Sequence, residues 1–131
     1  MPVYGEGRQR REFLHVEDWV RAALAVLERG EAGVTYNIGA GTELENVELA
    51  RRICALAGAD PSLVTFVPDR PGHDFRYGVS AARLRALGWA PEVAFDEGLA
   101  STVAWYRDHD DLRSWHTIDV VTAPRTAEAA G

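Results

Sequence analysis

Lysine is absent: all fourteen basic residues of this 131-residue chain are arginine. A Walker-type phosphate loop, Schiff-base catalysis and a Tyr-x-x-x-Lys proton relay each need a lysine amine, so this chain supplies none of them. Cysteine is nearly absent too. Cys54 stands alone in an apolar helical pattern, which excludes a disulfide framework and a thiolate metal site. No second histidine stands at metal-ligand spacing from His15, so no metal is expected. Long apolar runs are missing, and the start Met1-Pro2-Val3-Tyr4-Gly5 has no export-type stretch; neither a membrane span nor export is expected, and a reducing cytoplasm fits best. Net positive charge is lacking as well. At a formal net charge of −6, nucleic acid is not an expected partner, because nonspecific affinity for it requires a basic face.

An apolar fraction of 47% suits one globular domain. Residues 2 to 4 and 12 to 16 read as short extended segments joined by the glycine-rich, basic stretch Gly5 to Arg11. From Val16, apolar Val20, Ala23, Leu24 and Leu27 recur at helical spacing, with Glu17 and Asp18 at the start and Gly30 as a stop, which predicts a helix over 16–29. Val34, Tyr36 and Ile38 alternate with Thr35 and Asn37, the signature of a strand ended by Gly39-Ala40-Gly41. Thr42 and Glu45 have capping-box spacing, with Asn46 as a competing cap, before a second helix carrying Leu49, Ile53, Leu56 and Ala57 that Gly58 closes. Val64 to Val67 reads as the next strand. Ser80 is expected to cap a short helix with Leu84 and Leu87, and Asp96 a long one with Leu99, Val103 and Tyr106. The expected division is an ordered region, 1–116, followed by a disordered Ala/Thr-rich tail, 117–131.

The segment Asp69-Arg70-Pro71-Gly72-His73-Asp74-Phe75-Arg76-Tyr77 carries the most chemistry. Pro71 fixes its own φ and Gly72 tolerates positive φ, so a turn here presents Arg70, His73 and Arg76 at little ordering cost. Arginine forks suit a phosphate or carboxylate. Mutual pairing with the neighbouring aspartates is the competing reading. Asn37 at a strand's C-terminal edge is placed either to meet a ligand or to bond nearby backbone. Arg8, Arg10 and Arg11 flank two glycines that allow close approach to a diphosphate, although Arg8 and Arg10 read better as solvated. Gly39-Ala40-Gly41 fails the dinucleotide fingerprint, because Leu44 stands where its third glycine belongs. His15 reads as a core histidine, and no acid/base pair stands out among the carboxylates.

Pro2-Val3-Tyr4-Gly5-Glu6-Gly7, Gln9-Arg10-Arg11-Glu12-Phe13-Leu14-His15-Val16-Glu17-Asp18, Tyr36-Asn37-Ile38-Gly39 and Asp69 to Tyr77 together resemble the dTDP-glucose 4,6-dehydratases. These are extended short-chain dehydrogenase/reductases acting on nucleotide sugars. Leu87-Gly88-Trp89-Ala90-Pro91 and Thr102-Val103-Ala104-Trp105-Tyr106 continue the likeness to about residue 110. Arg11 to Val16 alone would fit many nucleotide-sugar epimerases and reductases; Asp69 to Tyr77 narrows it.

The resemblance implies an α/β fold matching the C-terminal nucleotide-sugar-binding portion of such an enzyme, with short strands, about four helices and no Rossmann NAD-binding core. By position, Pro2, Val3 and Tyr4 would line the base site, Arg11 would meet the diphosphate, Asn37 would bind substrate, and Asp69, Arg70, Pro71, Gly72 and His73 would wrap the nucleotide. NAD serves the family. None is expected to bind this chain alone, because the glycine-rich NAD loop, the acid/base pair and the catalytic tyrosine and lysine have no counterpart here. Expected partners are a dTDP-sugar or another nucleotide sugar and a separate NAD-binding chain or a second copy. A stand-alone, non-catalytic binding module and a piece of another nucleotide-sugar epimerase or dehydratase remain open. Glu6 and Glu12 stand where aspartate is usual, Phe13 where tryptophan is common and His15 where tyrosine is common.

Overall fold

A computed structural model describes residues 1–109, as a small α/β structure with four α-helices. Strand β1 (Pro2–Tyr4) pairs in parallel with β4 (Thr65–Val67), and β2 (Arg10–Glu12) pairs antiparallel with β3 (Glu43–Glu45). Helix α1 (Val16–Arg29) follows β2, α2 (Asn46–Ala57) follows β3, and α3 (Ala82–Ala86) and α4 (Phe95–Asp108) follow β4. Phe75 to Tyr77 lies beside β2 on its open side: the Arg10 N–H donates to the Phe75 carbonyl at 2.7 Å and the Tyr77 N–H to the Arg10 carbonyl at 3.1 Å.

Helix α1 spans the predicted residues, yet its two faces have opposite fates. Asp18, Ala22 and Ala25 turn inward, and the two alanines pack with Ala81, Leu84 and Trp89. The larger apolar residues Trp19, Val20, Leu24 and Leu27 are exposed. Asp18 anchors the α1 side of this core: its carboxylate accepts from the Glu92 and Val93 N–H groups at 2.9 and 3.1 Å and from Arg21, and its carbonyl accepts from the Trp89 indole at 3.2 Å. A second cluster joins Val3 to Val47 and Ala50.

Several expected boundaries shift. Val34 to Ile38 forms no strand, because no neighbouring strand offers a hydrogen-bond ladder among the described residues. Its alternation nonetheless survives in burial, with Val34, Tyr36 and Ile38 half-buried and Thr35 and Asn37 exposed. The capping box at Thr42 and Glu45 gives way to β3. The first N–H groups of α2 are met by loop carbonyls instead, Asn46 to Gln9 and Val47 to Gly7, each at 3.0 Å, so no side-chain cap is needed. Ser80 and Asp96 do not cap their helices; Ala81 and Ala94 take those places, and Asp96 sits in the first turn of α4, paired with Arg52. The extended segment expected at 12–16 is centred earlier, at Arg10–Glu12. The tail expected at 117–131 lies outside the described residues.

Candidate functional site

The β1–β4 pair delivers Tyr4 beside the loop after β4. The Gly5 N–H donates to the Val67 carbonyl at 2.9 Å and the Gly7 N–H to the Tyr4 carbonyl at 3.0 Å, turning the chain sharply. Gly7 is obligatory there: at φ +71°, an added Cβ would lie 2.6 Å from Val3 Cγ1 and 2.7 Å from Val47 Cβ. This turn leads into β2, whose side chains alternate between two faces. Arg10 and Arg76 share one face with Glu43: Arg76 grips the Glu43 carboxylate through Nε at 2.7 Å and through Nη2, and Arg10 lies 3.7 Å from it. The Arg76 hydrogen bond is the first cause holding the Glu43 carboxyl below its ordinary range. Arg76 is therefore committed to the chain, unlike the ligand-facing residue its place in the turn suggests.

Arg11 occupies the opposite face. Its Nη2 donates to the Asp74 carbonyl at 2.9 Å and contacts His73 Nε2 at 3.2 Å, while Nη1 donates to the Arg10 carbonyl at 2.7 Å. Its guanidinium stands over the Tyr77 ring, 4.3 Å from the centroid. His73 is fixed from its other nitrogen, Nδ1 lying 2.6 Å from Asp69 Oδ1. Because a carboxylate only accepts, this bond assigns the proton to Nδ1 and leaves Nε2 as the acceptor for Arg11. Asp69 also accepts from the Arg70 N–H and from Gln9 Nε2, both at 2.9 Å, and the His73 bond leads the causes that lower its pKa. Tyr4 meets the His73 ring edge to face at 5.8 Å. The Arg70 side chain has no hydrogen bond or ion pair among the described residues, yet its charge reaches Tyr77. That phenol is held above its ordinary range, first by its hydrogen bond to Asp74, with Arg11 and Arg70 acting the other way.

Tyr4, Arg11, Asp69, Arg70 and His73 are thus brought together by one turn and two strand ends. Pro71 is exposed, and Gly72 takes φ +69° with open space around it, so conformation rather than room selects glycine. Val3 faces inward, buried against Val47, leaving only its backbone toward a ligand. Asn37 stands apart in contact terms: its amide reaches the Ser80 carbonyl at 3.5 Å. His15 lies at the start of α1, where its ring accepts from the Glu17 N–H at 3.4 Å. Gln9, Asp74 and Tyr77 were not expected as site residues; the period-two alternation that puts Tyr77 on the Arg11 face was their available signal.

Elsewhere, a hollow of about 190 Å³ opens between α2 and α4, with Phe13, His15, Leu49, Ile53, Phe95 and Leu99 in its lining. Its apolar walls offer few groups for a charged ligand. Among the described residues there is no cluster suited to a metal ion, and no helix is long and apolar enough to cross a membrane.

The same architecture recurs in solved structures. A dTDP-glucose 4,6-dehydratase from Streptomyces venezuelae with NAD bound aligns at a TM-score of 0.80 and 45% identity, over 88% of this chain and 35% of that one. UDP-glucose 4-epimerase from Thermotoga maritima, with UDP-glucose, aligns at a TM-score of 0.76 and 29% identity, over 82% of this chain and 35% of that one. The class is therefore that of the Rossmann-type extended short-chain dehydrogenase/reductases. Within it, the model of the GDP-mannose 4,6 dehydratase family matches residues 1–102, and the chain belongs to that family. Among curated relatives, a dTDP-glucose 4,6-dehydratase from Streptomyces niveus is 53% identical over 116 residues, covering 88% of this chain and 34% of the relative. The chain spans about a third of the length of the curated relatives it matches.

The Gly39-Ala40-Gly41 loop does not offer a dinucleotide-phosphate site. In the glycine-rich loop, an added Cβ at Gly39 would lie 2.4 Å from Glu12 Oε1, and the Gly41 N–H already donates to that carboxylate. The loop holds an internal anion where a dinucleotide loop would leave its N–H groups for a phosphate.

Proposed function

We propose that this chain is the nucleotide-sugar-binding, C-terminal part of a dTDP-glucose 4,6-dehydratase, working in deoxysugar biosynthesis on the conversion of dTDP-glucose to dTDP-4-keto-6-deoxyglucose. The observation that carries the reading is the convergence of Arg11 and His73 beside the Tyr4 ring, with Arg70, unpaired among the described residues, in the same turn. Two guanidinium groups suit a diphosphate, and an aromatic face suits a base. Pro2 and the Val3 backbone extend the base side, Asn37 contributes a polar contact, and the Asp69 to His73 turn closes over the nucleotide.

Hydride transfer from the sugar needs a bound NAD and, by the family resemblance, a catalytic lysine, which these residues do not include. A separate NAD-binding chain would supply that step. The exposed Trp19, Val20, Leu24 and Leu27 support such an association, since an apolar stripe on a helix face favours further packing. The isolated chain is accordingly expected to be marginally stable or to self-associate. The lone buried thiol Cys54 suits the cytoplasm.

Calorimetric titration of the full chain with dTDP-glucose tests the reading. Saturable binding, weakened by about tenfold to a hundredfold in Arg11→Ala, is expected from the loss of charge-assisted hydrogen bonds. Absence of heat at millimolar ligand would refute it.

A further inference from the structure

The Arg11 guanidinium is held in two ways. Its edge is spent on the chain: Nη1 meets the Arg10 carbonyl at 2.7 Å and the Phe75 carbonyl at 3.4 Å, and Nη2 meets the Asp74 carbonyl at 2.9 Å and His73 at 3.2 Å. A guanidinium has five N–H donors, so these contacts occupy its four terminal ones. An anion approaching in fork geometry must therefore displace some of them. The long contact to Phe75 is the weakest of the set. The face is held differently, by the Tyr77 ring at 4.3 Å, and that contact uses no N–H at all.

Tyr77 is itself well placed to stay still. Its N–H donates to the Arg10 carbonyl at 3.1 Å, its hydroxyl donates to the Asp74 carboxylate, and the Arg10 N–H returns to Phe75 at 2.7 Å. The ring is thus tied to the strand that carries Arg11 and to the turn that carries His73. Arg11 can exchange partners along its edge while its plane stays where the ring sets it.

We propose that Tyr77 is a positioning residue of the anion site, its ring holding Arg11 by the face while the guanidinium edge passes from loop carbonyls and His73 to a diphosphate. This rests on the reading of Arg11 as the diphosphate contact. It assigns the role to the ring's contact with Arg11, and it predicts that the ring matters more than the hydroxyl.

The test uses the full chain with dTDP and inorganic pyrophosphate as probes, and the variants Tyr77→Phe, Tyr77→Leu, Arg11→Ala and the double Arg11→Ala/Tyr77→Leu. Tyr77→Leu should weaken binding of both probes about fivefold, and Tyr77→Phe no more than about twofold, as loss or retention of a cation–π contact requires. In the Arg11→Ala background, Tyr77→Leu should cause no further loss, since positioning has nothing left to position. The Arg11 Nε–Hε proton resonance should be shifted upfield by the ring in the unmodified chain and in Tyr77→Phe, and return downfield in Tyr77→Leu. Additive losses in the double variant, a Tyr77→Phe loss equal to that of Tyr77→Leu, or an Arg11 resonance indifferent to Tyr77→Leu would overturn the proposal. If dTDP binds and Arg11→Ala weakens it while Tyr77→Leu does not, the positioning role alone falls. If pyrophosphate binds with the expected Tyr77 dependence and dTDP shows no preference over it, the positioning role stands and the nucleotide reading falls. A chain that binds neither probe overturns both.

Discussion

Asp18 and Asp69 each organise a region, and the contrast between them separates what holds this molecule together from what it can offer a ligand. Asp18 is fully buried and takes most of its hydrogen bonds from backbone N–H groups of Glu92 and Val93, with Arg21 closing the site. Its donors are all groups of the protein, and Arg21 pairs with Glu92 as well. Asp69 leaves 42% of its side chain exposed and gathers Gln9, the Arg70 backbone and His73. The groups it orders reach outward, through His73 to Arg11 and through the turn to Arg70. The same carboxylate chemistry therefore produces a structural anchor where the carboxylate is buried, and a solvent-facing cluster where it is not.

The largest effect is expected at the anchor. Asp18→Ala removes a fully buried acceptor from two part-buried N–H groups and from Arg21, and should cost about 2 to 4 kcal/mol of stability, read as a large drop of the denaturant midpoint. Asp18→Asn, retaining one acceptor, should lose less. Next, Gly7→Ala forces a Cβ into Val3 and Val47 at a positive φ, and should cost about 2 kcal/mol or more in the same assay. It tests whether the ligand-facing side depends on backbone geometry rather than on its charges. Arg11→Ala should change the denaturant midpoint far less than either, while weakening dTDP-glucose binding about tenfold or more. A large stability loss from Arg11→Ala would erase the contrast.

The smallest effect is a pH dependence at Asp69. Its folded pKa is depressed, mainly by His73, so its contribution is complete above the ordinary carboxylate pKa of about 4 and is lost as pH falls through the lower folded value. The thermal stability difference between the unmodified chain and Asp69→Asn should therefore be present at neutral pH and shrink in strong acid. A difference that grows as pH falls would contradict the sign.

Much of this was legible in the sequence for local reasons. Helix α1 begins and ends where its apolar spacing, acidic start and Gly30 say it should. The inward face was not legible, because the residues that mark the helix, Val20, Leu24 and Leu27, point outward, and the core is built from Ala22 and Ala25 against Leu84 and Trp89. The Asp69 to Tyr77 turn was readable from Pro71 and Gly72. What the neighbouring arginines do depended on strand pairing: Arg10 reads as solvated in a basic loop, yet alternation along β2 pairs it with Glu43, while Arg11 meets His73 and Tyr77. Asp18 showed the same limit. Its place in the first turn of a helix suggested a favourable helix dipole and solubility, and its backbone partners Glu92 and Val93 lie more than seventy residues away.

The central claim is that the Arg11, Arg70 and His73 side of the molecule receives the nucleotide sugar. Backbone and arginine side-chain NMR shifts of the full chain, followed during titration with dTDP-glucose, test this most directly. The account predicts saturable changes at Tyr4, Arg11, Arg70 and His73, with Asp18 and Ala22 unmoved. Changes confined to the apolar hollow around Leu49 and Leu99, or no changes at millimolar ligand, would contradict it.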